Sequence, residues 1–196
     1  MKPRETSTSI FWYGRIPSLN WKWSSNKKRG ERKEAFLNMA ESGVNIRIAT
    51  LDDIAGIVEL NYALFREDAG QRDPYMNLDW PKEEGHEHFA KFITNGDSLC
   101  LMATAGEALI GYLVGYLWHG GNLRPIKLAE LESMFVRPKW RSRGVGRKLA
   151  EEFFKWARGK GAQRASVTAY AANARAIAFY RGLGFDTKSL ALEIGL

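Results

Sequence analysis

Cysteine is nearly absent from this sequence. Cys100 stands alone among 196 residues, which excludes an internal disulfide framework and any zinc site built on several thiolates. Histidine is scarce too. Of three, His86 and His88 lie two apart on a predicted helix and do not face one site, so no metal centre is expected. Long hydrophobic runs are also lacking. The most apolar stretch, Leu99–Trp118, is interrupted by Gly106-Glu107 and alternates on either side, so it reads as two strands and a turn rather than a membrane span. No G-x-x-x-x-G-K-S/T string occurs, which excludes a P-loop. Gly144-Val145-Gly146-Arg147-Lys148-Leu149 lacks the third glycine of a dinucleotide fingerprint.

What is present is an ordinary globular composition, 45% hydrophobic and 26% charged, and at 22.2 kDa one domain with a full core. Without disulfides the chain reads as cytoplasmic. Its net charge of +7 conceals a partition. Residues 1–38 carry nine Lys/Arg and three Glu, residues 39–136 seven basic and fifteen acidic side chains, and residues 137–196 thirteen basic and four acidic. Two basic blocks around an acidic middle suit two ligands of opposite sign better than one polyanion, so nucleic acid is not the expected partner. Residues 1–43 read as a basic, flexible N-terminal extension, and residues 44–196 as the folded domain.

From Val44 the chain shows regular periods. Val44–Ala49 alternates as a strand; Thr50 with Asp53 forms a capping box for a helix whose stripe is Ile54, Ile57, Val58, Ala63 and Leu64, flanked by Leu60. Pro81 opens a second helix running to Thr94 with Phe89 and Phe92 inward. Strands follow at Ser98–Thr104, Leu109–Trp118 and Lys127–Val136, then a helix from Gly144 to Gly159. Arg164–Tyr170 reads as a strand, Asn173 as the cap of a short helix, and Thr187–Ile194 as a last strand. The order β-α-α-β-β-β-α-β-α-β predicts an α+β fold on a mixed sheet.

The chemically informative segment joins a strand to a helix through a short basic loop: Phe135-Val136-Arg137-Pro138, then Arg141-Ser142-Arg143-Gly144-Val145-Gly146. Unpaired N–H groups and the positive end of the dipole meet an anion at such a helix start, and glycines let phosphate approach. Arg141, Arg143, Arg147 and Lys148 add charge; a pyrophosphate is the natural guest.

Arg141-x-x-Gly144-x-Gly146, with Asn173-x-x-Ala176-x-x-Phe179-Tyr180-x-x-x-Gly184-Phe185 downstream, resembles the GNAT superfamily of N-acetyltransferases. The resemblance covers Val44 to Leu196. It implies a splayed, mixed central sheet flanked by helices, with acetyl-CoA wedged between the parallel strands that end at Val136 and begin at Arg164. It further implies that the backbone of Phe135 and Val136 holds the pantetheine arm, and that the N–H groups of Arg141, Ser142, Arg143, Gly144, Val145 and Gly146 hold the pyrophosphate. Asn173 would touch the cofactor arm. The chain after Phe185 has room for little more than one strand, where many relatives have two, which leaves a homodimer contact open.

The implied reaction transfers an acetyl group to a primary amine by direct attack. An alkyl amine with a pKa of about 10 must lose a proton first, and a carboxylate can take it. Glu132 matches the family position of the base, while Glu130, two residues away on the same strand face, or a water chain are alternatives. Tyr180 matches the general acid. Seven acidic residues between Glu67 and Glu87 suggest a wall favouring a cationic small molecule, or a protein N-terminus or lysine. A non-catalytic acyl-CoA sensor is the rival reading.

Overall fold

The computed structural model describes residues 43–196; the expected basic extension falls almost wholly outside them. Val44–Ile48 forms β1, and its Ala49 leads into the capping box, in which Thr50 N–H donates to Asp53 Oδ2 at 2.8 Å. A 3-10 turn at Leu51–Asp53 continues into α1, Ile54–Glu67, which buries Ile54, Ile57, Leu60 and Asn61. Asp53 is a buried carboxylate made tolerable by a bidentate partner, since Arg47 donates to its two oxygens at 2.6 and 2.7 Å.

The helix expected from Pro81 to Thr94 is two. Trp80–Glu83 (α2) and Gly85–Thr94 (α3) are separated at Glu84, where φ of −121° leaves the helical region. Gly85 then packs against Val58 of α1, where an added Cβ would lie 3.4 Å from Val58 Cγ2. The break lets α3 aim Phe89 into the core independently of α2.

Ser98–Ala105 (β2), Ala108–His119 (β3) and Lys127–Val136 (β4) pair antiparallel with β1 in the order β1-β2-β3-β4. Val145–Gly159 (α4) then returns the chain so that Arg164–Val167 (β5) lies parallel to β4. One sheet face carries α1 and α3 over Met102, Tyr112, Val114 and Phe135; the other carries α4 over Leu101, Leu113 and Leu131. The α+β, mixed-sheet architecture expected from the pattern is the one found. No helix among the described residues is long and apolar enough to cross a membrane.

Two strand expectations are corrected. The strand predicted over Arg164–Tyr170 ends at Val167, because β5 contacts β4 only from Leu128 to Leu131 and has no ladder beyond. The tail Thr187–Ile194 is not a strand, and Leu190, Leu192 and Ile194 are exposed. Alternation alone does not make a strand; it needs a neighbour to complete its hydrogen bonds. Before the tail, Ala174–Gly182 forms α5, capped by Asn173.

Candidate active site

The site begins with an irregularity in β4. Across from β3, Ser133 faces Val114 and Leu131 faces Gly115, which leaves Glu132 as the extra residue of a β-bulge. Before the bulge, Ala129 and Leu131 belong to the α4 face; after it, Met134 and Val136 do, while Phe135 belongs to the α1/α3 face. A bulge therefore shifts the alternation by one and turns Glu132 and Ser133 toward the same side.

The bulge also ends the pairing with β5. Beyond Leu131 the outer edge of β4 faces no strand among the described residues, because β5 ends at Val167, which leaves a gap along β4. Arg137 N–H donates to Ile110 O at 2.8 Å, which sets the phase of the antiparallel ladder with β3. By that phase the backbone groups of Phe135 point to β3, and those of Met134 and Val136 point into the gap. The expectation for Phe135 is thereby amended: it supplies a core side chain, and Met134 supplies the gap-facing backbone beside Val136.

At the mouth of the gap lies the loop before α4. Ser142 (φ 60°) and Gly144 (φ 84°) both adopt left-handed backbone. Such alternation turns successive N–H groups inward as an anion-binding nest, here at the positive end of a fifteen-residue helix. Gly146 lies close under α5: an added Cβ would lie 3.3 Å from Phe179 Cζ, so that ring would have to give by a few tenths of an ångström. Val145 is buried and anchors the helix start.

The arginines of the loop have defined partners. Arg141 donates from Nε to Val136 O at 2.7 Å and from both terminal nitrogens to Glu67 at 2.5 and 2.6 Å, tying the loop to β4 and to the end of α1. Its guanidinium is thus a brace with its charge balanced, not an open phosphate ligand. Arg143 lies over the Trp140 ring at 5.5 Å. Asn173 is committed in the same way: Oδ1 accepts from Ala176 N–H at 3.0 Å and Nδ2 donates to Asp68 at 2.8 Å, so its side chain positions α5.

Tyr180, on α5, packs against the apolar cluster on the α4 face, with Phe179 and Phe185 at its ring. Burial, with the Asp68 charge as a lesser cause, pushes its phenol up to about 12.

On the opposite face, Glu132 Oε1 lies 2.7 Å from His88 Nε2 of α3. Sequence reasoning set His88 aside, and its one legible signal was its place among the inward aromatics of that helix; the ring contacts Trp80, Phe89 and Phe92. Glu130 shares the face but accepts from the Ser166 hydroxyl of β5. Glu132 and Ser133 line a cavity of about 410 Å³, walled by Phe65, Met76, Trp80 and Phe89. Asn61 at its floor donates to the Tyr112 hydroxyl at 2.7 Å, which donates to Ser133 Oγ at 3.2 Å. Among the described residues no cluster of ligating side chains could hold a metal ion.

A parallel strand pair that ends at Leu131, a left-handed turn at the start of the following helix and a carboxylate just past the end of the ladder mark the candidate site. The chain matches the model of the Acetyltransferase (GNAT) family over residues 59–185, and it belongs to that family. It is similar to an uncharacterized N-acetyltransferase of Methanocaldococcus jannaschii, 23% identical over 145 residues, which are 74% of this chain and 62% of that relative. Its fold resembles that of a mutant Bacillus halodurans protein, with TM-score 0.72 and 21% identity over 78% of this chain and 99% of the other. It also resembles an aminoglycoside N-acetyltransferase solved in complex with CoA, with TM-score 0.60 and 19% identity over 78% and 94% of the two chains.

Proposed function

We propose that this protein is an acetyl-CoA-dependent N-acetyltransferase acting on a primary amine. The observation that carries the reading is the open outer edge of β4 beyond Leu131, followed by the left-handed Ser142 and Gly144 at the start of α4. The residues present fit the cosubstrate: Met134 and Val136 offer strand-like hydrogen bonds to an amide-bearing arm, and the N–H groups from Ser142 to Gly146 offer them to a pyrophosphate. The CoA complex of the aminoglycoside acetyltransferase supports the same ligand class. When bound, acetyl-CoA supplies the activated acetyl group.

Glu132, held by His88, takes the proton that the attacking ammonium must lose. Tyr180 would serve the departing sulfur. Its phenol, pushed up to about 12, lies above an ordinary thiol near about 8.5, so it stays protonated and stabilises the departing thiolate by donating a hydrogen bond. Complete transfer of that proton would be uphill. Direct attack by the amine is favoured over an acyl-enzyme route through cysteine, because Cys100 is 3% exposed and burial pushes its thiol up to about 12.

The test is release of CoA thiol from acetyl-CoA by the full chain across a panel of amines. Thiol release that depends on an amine and is lost in Glu132→Gln supports the reading. Heat protection by acetyl-CoA without release to any amine overturns it in favour of an acyl-CoA sensor.

A further inference from the structure

The seven acidic residues that suggested a cationic acceptor wall do not line the cavity beside Glu132. Six of them have partners of their own. Glu67 holds Arg141, Asp68 holds Arg72 and Asn173, Asp79 approaches Lys82, and Glu87 holds Lys91. Asp73 accepts from the Tyr75 backbone, and Glu83 reaches the cavity only through the amide of Asn77. The cavity itself offers one carboxylate, Glu132.

Its remaining walls are mostly apolar, Asn77 being the exception. Phe65 and Trp80 stack with centroids 5.8 Å apart and planes 13° from parallel, and Met76 and Phe89 extend the surface. Ser133 of β4 and the buried Asn61 of α1 join Glu132 as the other polar groups. Asn61 is 2% exposed, and its Oδ1 has no hydrogen-bond partner among the described residues.

We infer that the acceptor is a monoamine on a flat apolar body, its single ammonium directed to Glu132 and its body laid against Phe65 and Trp80. This deepens the acetyltransferase reading and rests on it. A second positive charge on the acceptor would lose water in this cavity and find no carboxylate to replace it. A flat body instead gains ring stacking and burial in a space of drug-like size.

The experiment compares 2-phenylethylamine with spermidine and kanamycin as acceptors, by thiol release from acetyl-CoA. The expected kcat/KM for 2-phenylethylamine exceeds both others by about tenfold or more, equivalent to roughly 1.4 kcal/mol. Trp80→Ala should raise KM for 2-phenylethylamine by about tenfold while KM for acetyl-CoA stays constant. Met76→Glu, which adds a second carboxylate without touching the ring wall, should move the preference toward spermidine by a similar factor. Equal or better use of a polycation by the unaltered enzyme, or a Met76→Glu ratio that does not move, overturns the inference and leaves the acetyltransferase reading standing. Absence of thiol release with all three amines, in protein that acetyl-CoA still protects against heat, removes both.

Discussion

His88 Nε2 and Glu132 Oε1 meet at 2.7 Å, joining the middle of α3 to the bulge of β4. The contact fixes the carboxylate one residue past the end of the β4–β5 ladder. Glu132→Gln should lower kcat by about 100-fold, the usual reach of general base catalysis. His88→Ala should lower it less, by about tenfold. The double variant should be no slower than Glu132→Gln alone, because both act through one proton path. Steady-state thiol release measures all three; additive losses would separate the two residues.

Tyr180→Phe should lower kcat by about 10- to 100-fold and leave KM for acetyl-CoA within about threefold, since the phenol acts on the leaving sulfur. Burial disfavours the phenolate, so the ordinary ionisation near 10 moves up to about 12. The wild-type pH–rate profile should therefore show no alkaline fall traceable to Tyr180 below about pH 11. A fall near pH 10 that vanishes in the Phe variant would count against the buried phenol.

Gly144→Ala should destabilise the fold by about 1 kcal/mol, because its φ of 84° is costly for a residue with a Cβ. The same change should weaken acetyl-CoA binding by reshaping the nest. Thermal melts with and without acetyl-CoA measure both effects. Unchanged protection by acetyl-CoA would mean the loop does not hold the pyrophosphate.

Asp53→Asn should cost about 2 kcal/mol at neutral pH, by linkage of a carboxyl lowered from 3.8 to about 2 by Arg47 and the Thr50 N–H. The folded state favours the ionised form, so this contribution is complete above about pH 5. It is lost as pH falls toward 2 and Asp53 takes a proton. Denaturant titrations at pH 7, 4 and 2.5 should show the gap between wild type and variant closing downward.

Most of the architecture was written locally. The capping box at Thr50 and Asp53, the stripe of α1, the two turns between β2, β3 and β4 and the apolar face of α4 are all short-range patterns, and each element formed where its period indicated. The loop from Arg141 to Gly146 was legible for the same reason: glycine spacing and a helix start are properties of neighbours in the chain. The exceptions mark places where distant contacts decide. The Thr187–Ile194 alternation has the period of a strand but no partner among the described residues, and the Pro81 helix breaks at Glu84 so that α3 can meet the core.

The sequence by itself determined most of the strands and helices, and which loop, carboxylate and phenol to consider, because these follow from period, cap and motif. Only the tertiary structure decided what those groups face. A one-residue bulge at Glu132 reverses the alternation of β4, brings Ser133 to the side of Glu132 and carries Phe135 into the α1/α3 core. The pairing of Glu132 with His88, and of Arg141 with Glu67, joins residues 44 and 74 positions apart. No local pattern encodes such meetings; they arise when the sheet register and the helix packing are settled together.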